Sequence, residues 1–595
     1  LWGSRYSYTS DVVLFGPAST RIITVAFGAA LPGDTPPNTI RNVVREISID
    51  AWGHSLKFYK PLASTWLRAC KKIVKSGPTI YSPDGAHLSG YRLLCATLAF
   101  SRVFKKSLAR QKNIGIMLPP SAAGVIANLS CWVLGKVNVN LNYTSAPDIV
   151  ASCIAKAEIK TVITSHQFLE KLKIKGVDYS VLSNDAELVY AEDIMKGIPK
   201  AVMLFHMLTG FILPPFFIEL FYYKRVKLFD TAAILFSSGT EGMPKGVELT
   251  HYNMMGNIQQ MSCIFNVTKN DVMLAELPLF HSFGLTVTVL LNLVEGSPII
   301  TVADPTDIKT MARVCAEFKA TVLIGTPTFI RAFTVNRWVH PMVFKHMRII
   351  IAGAEKLRPE IQEAFRLKFG KEVFEGYGCT ETTPVASVNT ENILLDDYMT
   401  MQVNNKIGTV GMPLPGTLYR IVDPETNEEL PIGQDGMILV GGCQVMKGYF
   451  KNSSLTSEAI LELNGKRWYR TGDKGHVDED GFLTIVDRYS RFAKLGGEMI
   501  SLGAVEIRIN ETKILEGCEY MVTAIPDSAK GECVVLLYSG EKDVDVVLRE
   551  LRKSGIPPLM VPGLAFKVDD VPKLGTGKAD FAKSKSLALN LAAQT

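Results

Sequence analysis

From position 93 onward, apolar patterns of two periods take turns along the chain, and this alternation constrains the fold more than any other feature. Positions 93–105, 122–134 and 149–157 carry helical spacing, while 113–118, 136–141 and 160–164 read as short strands. Strands separated by helices imply βαβ units and a mostly parallel sheet, because parallel neighbours need a crossover connection. At 595 residues the chain has room for several domains, and 47% hydrophobic with 21% charged residues fits a substantial core. The expected class is therefore α/β, with a large domain over 53–489. Shorter strands and helices alternate after it, which predicts a small α+β domain over 490–595.

An apolar strand at 231–236 runs into SSGTEGMPKG (237–246). Ser237, Ser238 and Thr240 alternate there with Gly239, Gly242 and Gly246, and Lys245 lies near the end of the run. Glycine permits tight positive-φ geometry, so such a loop can turn N–H groups and hydroxyls onto a phosphate chain while Lys245 adds a mobile charge. The spacing is not that of a Walker loop. The same composition also suits a solvated surface turn, and the loop alone does not separate the two readings.

Net charge is +6, from 64 basic and 58 acidic residues. That mild excess fits an anionic lipid surface or an acidic partner, and equally a solvated basic face; nothing in it demands nucleic acid. The ten cysteines form no C-x-x-C pair and no Cys/His cluster at zinc spacing, which points to reduced thiols. The chain starts at Leu1 with no signal peptide ahead of it, and reads as a piece of a longer polypeptide.

Residues 201–223, AVMLFHMLTGFILPPFFIELFYY, are the most apolar stretch, with Lys196 and Lys200 before them and Lys224, Arg225 and Lys227 after. A spanning helix needs roughly 20 apolar residues. Pro214-Pro215 would break one here, and His206 and Glu219 would be costly at depth. Two short pieces in the interface of an anionic membrane, with the basic flanks at the headgroups, is the favoured reading. A buried helical hairpin is the alternative, and a true span the weakest of the three.

Six glycine-containing motifs then follow in one order, and together they resemble those of the acyl-adenylate-forming ligases (acyl-CoA synthetases, adenylation domains and luciferases). They are SSGTEGMPKG (237–246), LPLFHSFG (277–284), IIIAGAEK (349–356), FEGYGCTET (374–382), WYRTGDKG (468–475) with IVDRYSRFAKLGGE (485–498), and LGTGK (574–578). The segment 113–142 is similar to the early core of that fold. The resemblance implies ATP and Mg²⁺ as cofactors and assigns roles residue by residue. Ser237, Ser238, Gly239, Thr240, Gly242 and Lys245 would hold the phosphates, with Thr240 and Glu381 toward the metal. His281 and Phe283 would border the carboxylate pocket, and Gly353, Ala354 and Glu355 the adenine. In the next motif, Gly376, Tyr377 and Gly378 would form the adenine platform, with Thr380 at the α-phosphate. Asp473 would accept the ribose hydroxyls, with Arg488 at the ribose or phosphates. Gly496 and Gly497 would let the thiol arm pass, and Lys578 would bridge carboxylate and α-phosphate during adenylation. The family's hinge position, usually charged, is Ser490 here. The apolar run 285–293 would line an alkyl tunnel or form an ordinary buried helix; periodicity does not decide.

The segments 487–506 and 575–581 look like the ligase half of the bifunctional 2-acylglycerophosphoethanolamine acyltransferase/acyl-[acyl-carrier-protein] synthetases. Residues 1–52 hold too few apolar positions for a core of their own: β-like runs at 12–15 and 22–27, a loop, then a helix at 38–52. LWGSR and ITVAFGAALPGDT within them resemble the last part of a glycerolipid acyltransferase domain. None of the nine histidines is followed by Asp at that family's His-x-x-x-x-Asp spacing, so 1–52 reads as a remnant without catalytic residues. The resemblance implies activation of a long-chain fatty acid and transfer to acyl carrier protein, or alternatively to CoA. The product would feed lysophospholipid reacylation at the cytoplasmic face of a bacterial inner membrane.

Overall fold

The computed structural model describes residues 24–73, 78–237, 244–395, 399–495, 498–527, 531–573 and 579–594. They form two compact units: one takes the described residues of 24–237, 244–419 and 440–469, the other those of 420–439 and 470–594. The chain passes from one to the other within the strands Thr417–Val422, Gly436–Gly442 and Lys466–Val477. The second unit thus takes in 420–439 and 470–489 besides the residues after 489.

The first unit contains two large sheets. In the seven-stranded one the order is Gly448–Tyr449, Lys245–Thr250, Thr231–Ser237, Val137–Asn140, Asn113–Ile116, Thr161–Thr164 and Glu187–Tyr190. The last five are mutually parallel, as the alternation predicts, and Lys245–Thr250 turns back antiparallel onto Thr231–Ser237. The crossover helices fall where helical spacing places them, at Ala122–Val133 and Pro147–Lys156. Ser121 starts the first of these by accepting from the Gly124 N–H at 3.1 Å, which satisfies one of its orphan donors.

The nine-stranded sheet runs Met412–Pro413, Val385–Val388, Phe374–Gly378, Ile349–Ala352, Val322–Gly325, Met273–Ala275, Ile299–Thr301, Pro78–Tyr81 and His87–Ser89. From Met273–Ala275 the chain moves to one side, to Ile299–Thr301, then crosses to Val322–Gly325 on the other and continues outward. Strand order therefore reverses beside Met273–Ala275, and the carboxyl ends of parallel strands at such a reversal leave a crevice suited to ligands.

In the second unit, the strands Phe492–Leu495, Glu498–Ser501, Glu519–Asp527, Gly531–Ser539 and Leu564–Lys567 form a sheet flanked by Leu502–Glu511, Val544–Lys553 and Phe581–Ala592. Its core includes Val505, Leu536 and Leu551. This mixed small unit matches the α+β expectation.

Two N-terminal readings change. The β-like run at 22–27 is irregular over its described part, with Val25 and Phe27 exposed, because no described strand pairs with it; the run 12–15 lies outside the described residues. The helix expected at 38–52 extends over Pro37–Leu56. Leu56 is buried, Trp52 packs against Gly416, and the Lys466 ammonium donates to the Glu46 carbonyl and the Asp50 carboxylate, both at 2.9 Å. The boundary expected at 52 therefore does not coincide with a break in packing.

Candidate active site

Ser237 ends one strand and Lys245 begins its antiparallel neighbour, the two being register partners. The two strands thus fix both ends of the Ser/Gly loop; Ser238, Gly239, Thr240 and Gly242 lie outside the described residues. The Lys245 ammonium stands 5.9 Å from the centroid of the Tyr449 ring. The Tyr449 hydroxyl in turn donates to Glu381 Oε1 at 2.9 Å. Glu381 is 8% exposed, on a short turn Thr380–Thr382, and its carbonyl accepts from the Met446 N–H at 2.8 Å. Burial, reinforced by the Glu381 charge, pushes the Tyr449 and Tyr469 phenols well above their ordinary range, so both stay protonated donors. Structure thus joins four separate elements into one cluster: an ammonium, a carboxylate and two phenols. Tyr449 and Tyr469 were not singled out by their sequence context. The only signal for Tyr469 was its place in the WYRTGDKG motif.

Around the crevice, backbone shape dominates. A Cβ on Gly378 would fall 1.8 Å from the Pro384 carbonyl oxygen, and one on Gly284 would fall 2.2 Å from that of Pro278. Neither position tolerates a side chain. Phe283 lies against Gly353, whose own Cβ would meet the ring at 3.1 Å, and Ala354 adopts φ +71°. Glu355 accepts from the Thr328 hydroxyl at 2.9 Å. Tyr377 and Gly376 sit on Phe374–Gly378, half-buried. His281 is half-buried beside Phe280, ring centroids 4.7 Å apart. After it, 285–293 is fully buried as a π-helical turn, Phe283–Leu290, continued by Leu291–Glu295. π-turns inside helices often mark functional positions.

One further group was missed. Glu276 directly follows Met273–Ala275, at the reversal of strand order, and is 1% exposed. Neither carboxyl oxygen has a hydrogen-bond partner among the described residues. Burial pushes its pKa up to about 8, so it is a neutral acid at neutral pH. No motif signals it.

In the second unit, Asp473 and Arg488 face each other across the hairpin of Lys466–Val477 and Leu483–Arg488. Arg488 Nε donates to Asp473 Oδ1 at 3.0 Å, and the Asp473 N–H donates to the Thr471 hydroxyl at 3.0 Å. Ser490 lies in the turn Tyr489–Arg491 between two anchored neighbours. On one side, Asp487 accepts from the Ser501 hydroxyl at 2.6 Å and the Gly503 N–H at 2.8 Å. On the other, Arg491 bonds Glu506 at 2.8 Å and stacks over Phe581. Gly496, Gly497 and Lys578 lie outside the described residues. The loop carrying Lys578 is closed at its base by an antiparallel bridge between Lys573 and Ala579.

A hard cation takes oxygen ligands and keeps waters, and the near-buried Glu381 carboxylate, oriented by Tyr449, fits that demand. Among the described residues no group of three or more His, Cys, Asp or Glu could hold a metal. The ten cysteines are unbridged, and burial raises Cys70 and Cys131 to about 12.

Comparison with known proteins gives a consistent picture. The AMP-binding enzyme family matches residues 71–450. A long-chain-fatty-acid–CoA ligase of Escherichia coli is 26% identical over 502 residues, covering 81% of this chain and 86% of the relative. The 4-coumarate–CoA ligase-like 4 of Oryza sativa subsp. japonica is 28% identical over 478 residues, covering 79% and 82%. Among solved structures, ATP-bound MatB from Rhodopseudomonas palustris aligns with a TM-score of 0.72 at 24% identity, over 90% of this chain and 99% of that one. The anthranilate CoA ligase AuaEII in complex with anthranoyl-AMP aligns with a TM-score of 0.74 at 19% identity, over 91% and 100%.

Proposed function

Because this chain belongs to the AMP-binding enzyme family, we propose that it activates a long-chain fatty acid with ATP and passes the acyl group to a phosphopantetheine thiol. The observation that carries this reading is the Lys245–Tyr449–Glu381 cluster at the base of the Ser/Gly loop. In the first half-reaction a carboxylate oxygen attacks the α-phosphorus of ATP. The bond to the β-phosphate breaks, giving acyl-adenylate and pyrophosphate. Lys245 and the loop hold the phosphate chain, and Lys578 offsets negative charge as it grows at the α-phosphate. Glu381, with Thr240, would hold Mg²⁺, which when bound supplies further neutralisation of phosphate charge. Tyr449 fixes the rotamer of Glu381. In the second half-reaction the thiol sulfur attacks the acyl carbon and AMP leaves; the side-chain-free backbone at Gly496 and Gly497 suits passage of the arm.

For the acceptor we favour acyl carrier protein, on the likeness of 487–506 and 575–581 to the bifunctional synthetases. The acyl thioester would then feed reacylation of 2-acylglycerophosphoethanolamine by an acyltransferase of the same polypeptide. A second reading, a long-chain acyl-CoA synthetase, is favoured by the name of the Escherichia coli relative. Direct competition tests both: palmitate, ATP and Mg²⁺ are offered with holo-acyl carrier protein or with CoA, and thioester is followed. Transfer to the carrier protein alone supports the first reading, and transfer to CoA alone the second. No thioester and no pyrophosphate with either would sink the ligase proposal.

A further inference from the structure

The stretch 201–223 folds as two helices, Lys200–Ile212 and Pro215–Tyr222, broken at Leu213-Pro214. Among the described residues no helix is long and apolar enough to cross a membrane, so the spanning alternative has no support here. The buried-hairpin alternative fails too, because the pair carries its apolar side chains outward. Phe205, Leu208, Phe211, Ile212, Phe216 and Phe217 are exposed, and Leu220 and Phe221 continue the same face.

The inward face is the more polar one. His206 Nδ1 meets the Tyr222 hydroxyl at 2.9 Å, which closes the two helices into a hairpin. Gly210 and Ile218 provide its close contacts, Gly210 lying beside Leu94 and Cys95. Glu219, the only charged residue in 201–223, is turned inward, and Arg68 bonds it at 3.1 Å. The Lys71 ammonium donates to the Gly210 and Phe211 carbonyls at 2.7 and 3.2 Å, satisfying acceptors that the end of the first helix leaves open. The hairpin is thus held in place with its acid neutralised, its backbone end capped, and a continuous apolar face toward the outside.

Charge says what covers that face. Lys196 and Lys200 enter the hairpin, Lys224, Arg225 and Lys227 leave it, and all five are exposed. The tip, 211–217, is apolar throughout. Basic groups at the base and aromatic and aliphatic groups at the tip are the complement of a bilayer surface, with anionic headgroups above an acyl layer. We propose that this hairpin docks the protein on an anionic lipid bilayer, with the Phe211–Phe217 tip in the acyl boundary and the five basic residues at the headgroup phosphates. The proposal stands without the ligase reading. Combined with it, docking places the enzyme where long-chain fatty acids dissolve.

The test is flotation of the full chain with vesicles of phosphatidylcholine, or of phosphatidylcholine and phosphatidylglycerol in equal parts. The wild type should float with the anionic vesicles, less with the neutral ones, and less again as salt rises. Two triple variants, F211S/F216S/F217S and K224E/R225E/K227E, should each lower binding roughly tenfold or more. Both should keep the wild-type Tm, because the altered side chains are exposed. A wild type that stays unbound to anionic vesicles overturns the proposal. So do folded variants that float as the wild type does. A wild-type dimer that the Phe variant dissociates, with no flotation of either, would assign the face to a second copy instead.

Discussion

At Tyr449 one residue meets two charges: its ring lies beside the Lys245 ammonium while its hydroxyl donates to Glu381. If Glu381 holds the metal, Tyr449 orients the ligand, and partners of that kind are worth about 10–100-fold in metal affinity or activity. We expect Tyr449→Phe to raise the Mg²⁺ needed for half-maximal pyrophosphate release about tenfold with little change in Tm. An unchanged Mg²⁺ dependence would remove Tyr449 from the site. Lys578→Ala makes a sharper distinction, since its charge is assigned to adenylation alone. Adenylate formation should fall at least ~10²-fold, while thioester formation from supplied acyl-adenylate largely survives. Equal loss in both steps would overturn that role. The contiguous motifs were legible because spacing along the chain preserves them. Tyr449 was not, because its meaning comes from Glu381, which is near it only in space.

At the scale of elements, the helix His251–Phe265 shows how one residue ties distant segments together. Thr250 and Asn253 form a reciprocal capping box at its start. The Asn253 amide also donates to the Cys443 and Val445 carbonyls, both at 2.8 Å. Asn253→Ala would leave the Thr250 cap but remove the half of the box that the Asn253 side chain supplies, and would leave two buried carbonyls unpartnered, together about 3 kcal/mol. Asn253→Asp keeps the capping oxygen but supplies no donor to the carbonyls, so we expect it to lose most of that amount as well. Urea denaturation of the two variants measures the split; a neutral Asn253→Asp would show that the cap, not the tie, matters. Parallel strands and crossover helices from 93 to 164 were readable because each is a local pattern of buried residues. Strand order was not, since pairing partners lie far apart in sequence. The described part of the run 22–27, residues 24–27, failed for the converse reason: a strand-like composition makes no strand where no described strand pairs with it. The proline break at 214 was legible, but which face of the hairpin pointed outward was not, since the partners of the inward His206 and Glu219 are set by the fold.

For the molecule as a whole, Glu276 sets a sign for the pH dependence of stability. A glutamate with no hydrogen-bond partner among the described residues, fully buried with its pKa near 8, keeps its proton in the folded chain across a range where the unfolded chain has lost it. The folded state then binds more protons, so stability from this group is full below the ordinary glutamate value. It declines from there and is lost as pH rises through about 8. The upper bound on the change is about 5 kcal/mol. Glu375, raised to about 7 by burial against a bond from the Leu357 N–H, adds in the same direction. Glu276→Gln isolates the first contribution, because the amide imitates the protonated acid and does not titrate. Thermal unfolding of both proteins from about pH 5 to about pH 9 should show similar Tm at the acid end. The variant should become progressively the more stable of the two as the pH rises. Parallel Tm curves would mean that Glu276 ionises without penalty and has a counter-charge or water at the crevice. A variant less stable throughout would mean that the carboxyl accepts a bond that the amide cannot replace.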